Sequence, residues 1–132
     1  MNIIAKDLWV KIQRLLEAFA EKITQIDPSL ISKVGNTTND AFFVSGYLSF
    51  IRHADGDEIA ISIDAQTNGE QLTIDSDVCA DNGQIIAQGP TAKISLSDNQ
   101  PNLKAALDDW LDEFGRFLQN VEPTVIKNIS KI

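Results

Sequence analysis

With 132 residues, 43% of them apolar, and a net charge of −8, the chain has the material for one domain with a sizeable core. The charge excludes the basic footprint of a nucleic-acid binder and repels anionic membranes, and no apolar run approaches the roughly 20 residues needed to span a bilayer. A single cysteine, Cys79, excludes an internal disulfide and a cysteine metal cluster.

The first predicted element is a helix. Ile4, Leu8, Ile12, Leu15, Leu16, Phe19, Ile23 and Ile26 recur at spacings of three and four, with Lys6, Lys11, Arg14, Glu17, Glu21 and Lys22 on the opposite side. Trp9 lies just off that stripe, a position for a core-edge ring or, if exposed, a partner anchor. Pro28 should end the helix, because the residue before a proline is pushed away from helical angles. Asp27-Pro28 can start a short second turn through Leu30 and Ile31, capped by Asp27. The segment from Gly35 to Asp40 reads as a polar loop. The amphipathic start contains no signal-peptide apolar region, and one thiol suits a reducing compartment, so the expected location is cytoplasmic.

A meander of strands follows. Asp55-Gly56 and Asn68-Gly69 both read as two-residue type I′ turns, whose glycine accepts positive φ. These tips would set Phe50 opposite Ile61, Leu48 opposite Ile63, Ile63 opposite Ile74 and Ile59 opposite Val78. Both turns then place Val44, Leu48, Phe50, Ile59, Ile61, Ile63, Leu72, Ile74 and Val78 on one face. The opposite face carries Tyr47, Ser49, Ile51, Ser62, Asp64, Thr73, Asp75, Asp77 and Cys79, with Phe43 beside them. Asp81-Asn82-Gly83 turns into Ile85 and Ile86, Gly89-Pro90 breaks the ladder, and Ala92, Ile94 and Leu96 alternate in a fifth strand.

The last predicted element is a helix with a wide stripe of Leu103, Leu107, Trp110, Leu111, Phe114, Phe117, Leu118 and Val121. Pro101 suits its first turn and Pro123 marks its end. Gly115 inside it costs about 1 kcal/mol relative to alanine and points to a close packing contact. Val125, Ile126 and Ile129 would then form a short helix or a docked strand. The expected architecture is α+β over residues 1–132, a single domain. An N-terminal helix, an antiparallel meander of about five strands and a C-terminal helix put both helices on one face of the sheet.

The net charge is concentrated in the sheet. From Ala54 to Asp98 nine acids face one base, Lys93, and the remaining acids and bases balance. Catalytic groups, by contrast, are few. His53 could pair with Glu58 as a general base, but no nucleophile or oxyanion donor accompanies it, and a surface pair is the better reading. Cys79 lies between Asp77 and Asp81, which suppress a thiolate, so it reads as structural. Asp75, Asp77 and Asp81 precede Asn82-Gly83 without the spacing or closing glutamate of an EF-hand. Dinucleotide, P-loop and nucleophile-elbow motifs are missing. The expectation is therefore a non-enzyme with no catalytic residues, no cofactor and no metal.

An acidic sheet face mixed with Tyr47 and Ile51 suits a basic protein partner, with no nucleic acid and no membrane. The partner-binding residues assigned on this basis are Tyr47, Ile51, Asp55, Asp57, Asp64, Asp75 and Asp77. Small size, concentrated acidity and the lack of catalytic residues are features of immunity proteins, the antitoxin-like inhibitors that neutralise basic nuclease toxins. That likeness is one of class, and no motif carries it. An alternative is a secretion-chaperone-like homodimer that binds an effector segment, although such families interrupt their strands with a helix. A third is a small-molecule-binding domain with its pocket between helices and sheet.

Overall fold

In a computed structural model the chain is described over residues 2–39, 42–96 and 100–132, without the side chains of 2–4, 37–39, 42–43 and 100–101. Helix α1 (Asn2–Ile26) is followed by strands β1 (Ile31–Asn39), β2 (Phe42–Ile51), β3 (Glu58–Asn68), β4 (Gln71–Ala80), β5 (Ile85–Gln88) and β6 (Ala92–Ser95). Helix α2 (Gln100–Ile129) closes the order. The strands form one antiparallel sheet in the order β1-β2-β3-β4, and β5 and β6 share the far side of β4. Helix α1 packs over β1 and β2 and α2 over β3 and β6, an α+β domain with its helices on one face.

Helix α1 buries Leu8, Ile12, Leu16, Phe19 and Ile23. Ile4 lies outside the described side chains, Leu15 is half-buried, and Ile26 is exposed because the helix stops there and the chain turns away. Trp9 is a core-edge ring lying against Gly46 of β2. The stop before Pro28 is as expected, but Asp27–Leu30 forms a single turn closed by Leu30 N–H on Asp27 O. The expected turn thus reaches Leu30 but not Ile31, which is taken into β1.

The polar segment after Val34 is the larger departure. Gly35–Asn39 is the second half of β1, paired to β2 as Gly35↔Tyr47 and Asn36↔Gly46, while Asp40 lies outside the described residues. An outermost strand needs only one backbone partner and can keep polar side chains, so β1 gives little periodic signal. It brings the sheet to six strands.

Neither hairpin has the expected type I′ turn, yet the two faces are as expected. Residues 52–57 form a loop, bent by Gly56 N–H on His53 O, and Phe50 pairs with Ile59. The β3–β4 hairpin closes on Asn68↔Gln71 with positive φ at Gly69, the first loop position, as in a type II′ turn. Ile63 therefore faces Ser76, and Ile61 faces Val78. Each pairing moves by two residues, an even number, so every side chain keeps its face. All nine inner-face residues expected from the turns are buried, joined by Ala65 and Ser76.

Gly89-Pro90 splits what would be one long strand into β5 and β6. Pro90 O accepts bonds from Ser76 Oγ at 2.9 Å and Trp110 Nε1 at 3.1 Å, so the break is held by the core and by α2.

Helix α2 runs straight through Pro123, which therefore does not end it. Val125 and Ile129 continue the buried stripe of Leu118 and Val121. Burying those two side chains contributes about 1.5–3 kcal/mol each, enough to offset the roughly 3 kcal/mol that an interior proline costs. Leu111 and Phe117 are half-buried, and the rest of the expected stripe is core.

The two helices are parallel. Lys11 bridges to Asp108 at 3.5 Å, Leu15 faces Gly115, and Lys22 bridges to Glu122 at 3.1 Å, so positions advance together. Both C-terminal ends meet at Arg52, the residue after β2. Its guanidinium donates to Asp27 Oδ2 at 2.8 Å, Ile129 O at 3.1 Å and Ile132 O at 3.0 Å, and also to Ser29 Oγ. A cation there complements the negative ends of both helix dipoles. Arg52 first, and then Ser29, hold the Asp27 carboxyl at about 2, below its ordinary 3.8. A lowered folded value gives stability that is present above about pH 4 and is lost as pH falls through 2. Thermal melts of wild type and Asp27→Asn should therefore differ at pH 7, and the difference should narrow from about pH 4 downward and vanish below pH 2.

Two glycines give opposite expectations. A Cβ on Gly115 would meet only Leu15 Cδ2, at an ordinary 3.9 Å, so Gly115→Ala should stabilise by about 0.5–1 kcal/mol through helix propensity. A Cβ on Gly46 would run into the Trp9 ring, and Gly46→Ala should destabilise by about 1–3 kcal/mol. Denaturant melts of the pair read both signs.

Candidate functional site

The helices leave the other sheet face open. Register lays its side chains out in rows across β1 to β4. Ile31, Ile51 and Glu58 align at one end, then Lys33, Ser49, Ala60 and Cys79. Next come Gly35, Tyr47, Ser62 and Asp77, and then Ser45, Asp64 and Asp75. The face is divided by character. Its β1–β2 half carries Ile31, Ile51 and Tyr47, and its β3–β4 half carries Glu58, Asp64, Asp75 and Asp77. Between them lie the small side chains Ser45, Ser49, Ala60 and Ser62, of which Ser49 and Ala60 are buried.

Five of the seven residues assigned to a partner thus share this face: Tyr47, Ile51, Asp64, Asp75 and Asp77. Asp55 and Asp57 stand apart, exposed in the 52–57 loop at the Ile51–Glu58 end. Phe43 lies outside the described side chains. The Tyr47 ring leans over β1. A Cβ at Gly35 would come 2.5 Å from its hydroxyl oxygen, so the ring's position depends on that glycine.

The acidic half is electrostatically uncomfortable. Asp64 and Asp75 are direct cross-strand neighbours, an arrangement that destabilises a sheet when both are charged. Asp64 Oδ2 accepts from Gln66 Nε2 at 2.5 Å, while Oδ1 is buried and has no hydrogen-bond partner among the described residues. Burial, and then the charge of Asp75, push the Asp77 carboxyl above its ordinary value. Glu58 is held by the Ser49 hydroxyl instead of by His53, which is exposed in the loop. The expected His53–Glu58 pair does not form, because the loop carries His53 beyond the ladder.

Burial and then Asp77 raise the Cys79 thiol, against a hydrogen bond from Ser62 that lowers it, so the thiol stays protonated at neutral pH. Among the described residues no three His, Cys, Asp or Glu side chains gather as a metal ion would require. No described helix is long and apolar enough to cross a membrane. Between α1 and α2, Leu15, Phe19, Gly115 and Leu118 line a groove of ≈ 170 Å³, below the roughly 300 Å³ at which ligand pockets begin. A wider hollow beside it is open and edged by Lys11, Arg14, Asp108 and Asp112.

Sequence reasoning missed the β1 side of this face and the role of Arg52. The β-branched residues Ile31, Val34, Thr37 and Thr38 were a strand signal, masked by the Gly and Asn among them. Nothing local marks Arg52, whose partners are 23 to 80 positions away. The chain matches no protein-family model, and comparisons with curated proteins and with solved structures find no match either.

Proposed function

We propose that this chain is a non-catalytic protein-binding module whose open acidic sheet face takes up a basic surface of its partner. On this reading it acts as an inhibitor of the immunity or antitoxin type. The observation that carries it is Asp64, whose buried Oδ1 lacks a donor directly beside the charge of Asp75. An unsatisfied carboxylate oxygen and an opposed acid pair both cost stability in the free chain, and donors from arginine or lysine relieve both. The row of small side chains between the two halves leaves such a side chain its path. Its aliphatic stem lies over Ala60 and Ser62 beside Tyr47, and its cation reaches Asp64, Asp75 and Asp77. A basic protein that works on a polyanion presents such cations in an array, and the acidic face would occlude them.

The secretion-chaperone alternative ranks behind, since β2 to β6 follow one another with no helix between them. The test is a pull-down from the native cell with the wild-type chain and with Asp64→Asn/Asp75→Asn/Asp77→Asn as baits. Wild type should recover a basic protein at low salt that high salt releases and the triple variant fails to hold. Identical recoveries by the two baits would sink the reading.

A further inference from the structure

Helix α2 is weakened at one point and fastened at another. Pro123 has no N–H to give Gln119 O, so one bond is missing from the ladder about two turns before the helix ends. Of residues 124–132 only Val125 and Ile129 are fully buried, and their burial does little more than offset the proline. The Lys22–Glu122 bridge lies on the near side of Pro123 and does not hold the far side. The far side is fastened by Arg52, whose Nε donates to Ile132 O and whose Nη2 donates to Ile129 O. The same guanidinium grips both oxygens of Asp27, Oδ1 at 3.2 Å and Oδ2 at 2.8 Å, and donates to the Ser29 hydroxyl. One planar fork thus ties the end of α2 to the turn that follows α1.

We propose that residues 124–132 form a strap that opens as a unit about Pro123, with Arg52 as its latch, while the rest of the fold stays closed. Opening withdraws Val125 and Ile129 from the core and returns Arg52 to water. The latch releases all at once, because a rigid guanidinium cannot keep either carbonyl when the helix end lifts away from Asp27. Openings of this kind lie below global unfolding in free energy, since few apolar contacts are lost in them. The body of α2 has no such route, with Leu107, Trp110, Phe114 and Leu118 all buried.

The test is backbone amide exchange of the full chain at pH 7, read by NMR in rising urea below the unfolding transition. Amides 125–129 should exchange at least about tenfold faster than amides 107–118 and respond less to urea, because opening the strap exposes little surface. Arg52→Gln should speed amides 125–129 by about tenfold or more, since its charged hydrogen bonds are lost in the opening. Ile74→Val, a change in the sheet core, should speed amides 107–118 by about threefold or more and leave 125–129 as they were. Pro123→Ala restores the missing donor and should slow 125–129 by about tenfold or more. Equal acceleration of both sets by Ile74→Val would mean that the strap opens only with the whole fold, and would overturn the proposal. So would an Arg52→Gln variant whose body amides speed up while its strap amides do not, because Arg52 would then stay engaged in the open form. Strap exchange unchanged by Pro123→Ala would remove the hinge, and the proposal with it.

Discussion

Phe114→Ala should cost about 3–5 kcal/mol, a large share of the roughly 5–15 kcal/mol that holds an average domain together. Phe114 is fully buried in α2, stacked on Trp110 with ring centroids 5.0 Å apart and planes 10° from parallel. Trp110 is tied in turn to Pro90 O, between β5 and β6. Removing the ring therefore opens a cavity and loosens the support of the split strand at once. A urea melt should show a sharply lower midpoint with an unchanged slope. A midpoint like that of wild type would mean that α2 is peripheral to the core.

Replacing Asp64, Asp75 and Asp77 together by asparagine should slow association with the captured partner by about tenfold or more at low salt. The field of these carboxylates steers the encounter, and losing the partner's contact at Asp64 should speed release as well. The difference should shrink as the Debye length falls from about 10 Å at 0.1 M salt to about 3 Å at 1 M. The fold should gain. Asp77 has a raised folded value, so its charged form is penalised at neutral pH, and asparagine removes that penalty along with the Asp64–Asp75 repulsion. Stopped-flow association and a thermal melt at pH 7 check the two halves. An association rate indifferent to both the substitutions and added salt would defeat the electrostatic mechanism.

How much of this was legible in the chain depends on which physical signal each part carries. Alternation in β2, β3 and β4 reflects burial of one sheet face. It gave the correct faces for Ile61, Ile63 and Ile74 against Asp64 and Asp75, although both hairpin tips were misassigned. Turn type depends on backbone angles that Asp-Gly and Asn-Gly only bias, and Gly56 has no positive φ. Pro123 shows a local rule overridden from a distance, because a core reaching to Ile129 outweighs one lost hydrogen bond. The candidate face was half legible. Its acids could be counted, but the apolar margin needed β1, and a polar outermost strand resembles a loop until its partner is known. The unpaired oxygen of Asp64 and the meeting of Asp27, Ile129 and Ile132 at Arg52 are three-dimensional facts with no sequence pattern.

The parallel helices also set a timetable. Leu15 and Gly115 face each other across 100 positions, so the interface between α1 and α2 cannot form until that intervening stretch has been made. At about 5–20 residues per second of synthesis, that interval lasts roughly 5–20 s. Throughout it, Ile61, Ile63, Leu72 and Ile74 have only part of their cover, and β1 offers its edge to any neighbour. Such distant contacts make folding slow and late-closing. The newborn chain is therefore most exposed to misassembly just before Trp110 and Phe114 seat against Pro90, and a polysome crowded with copies of it would be where its losses occur.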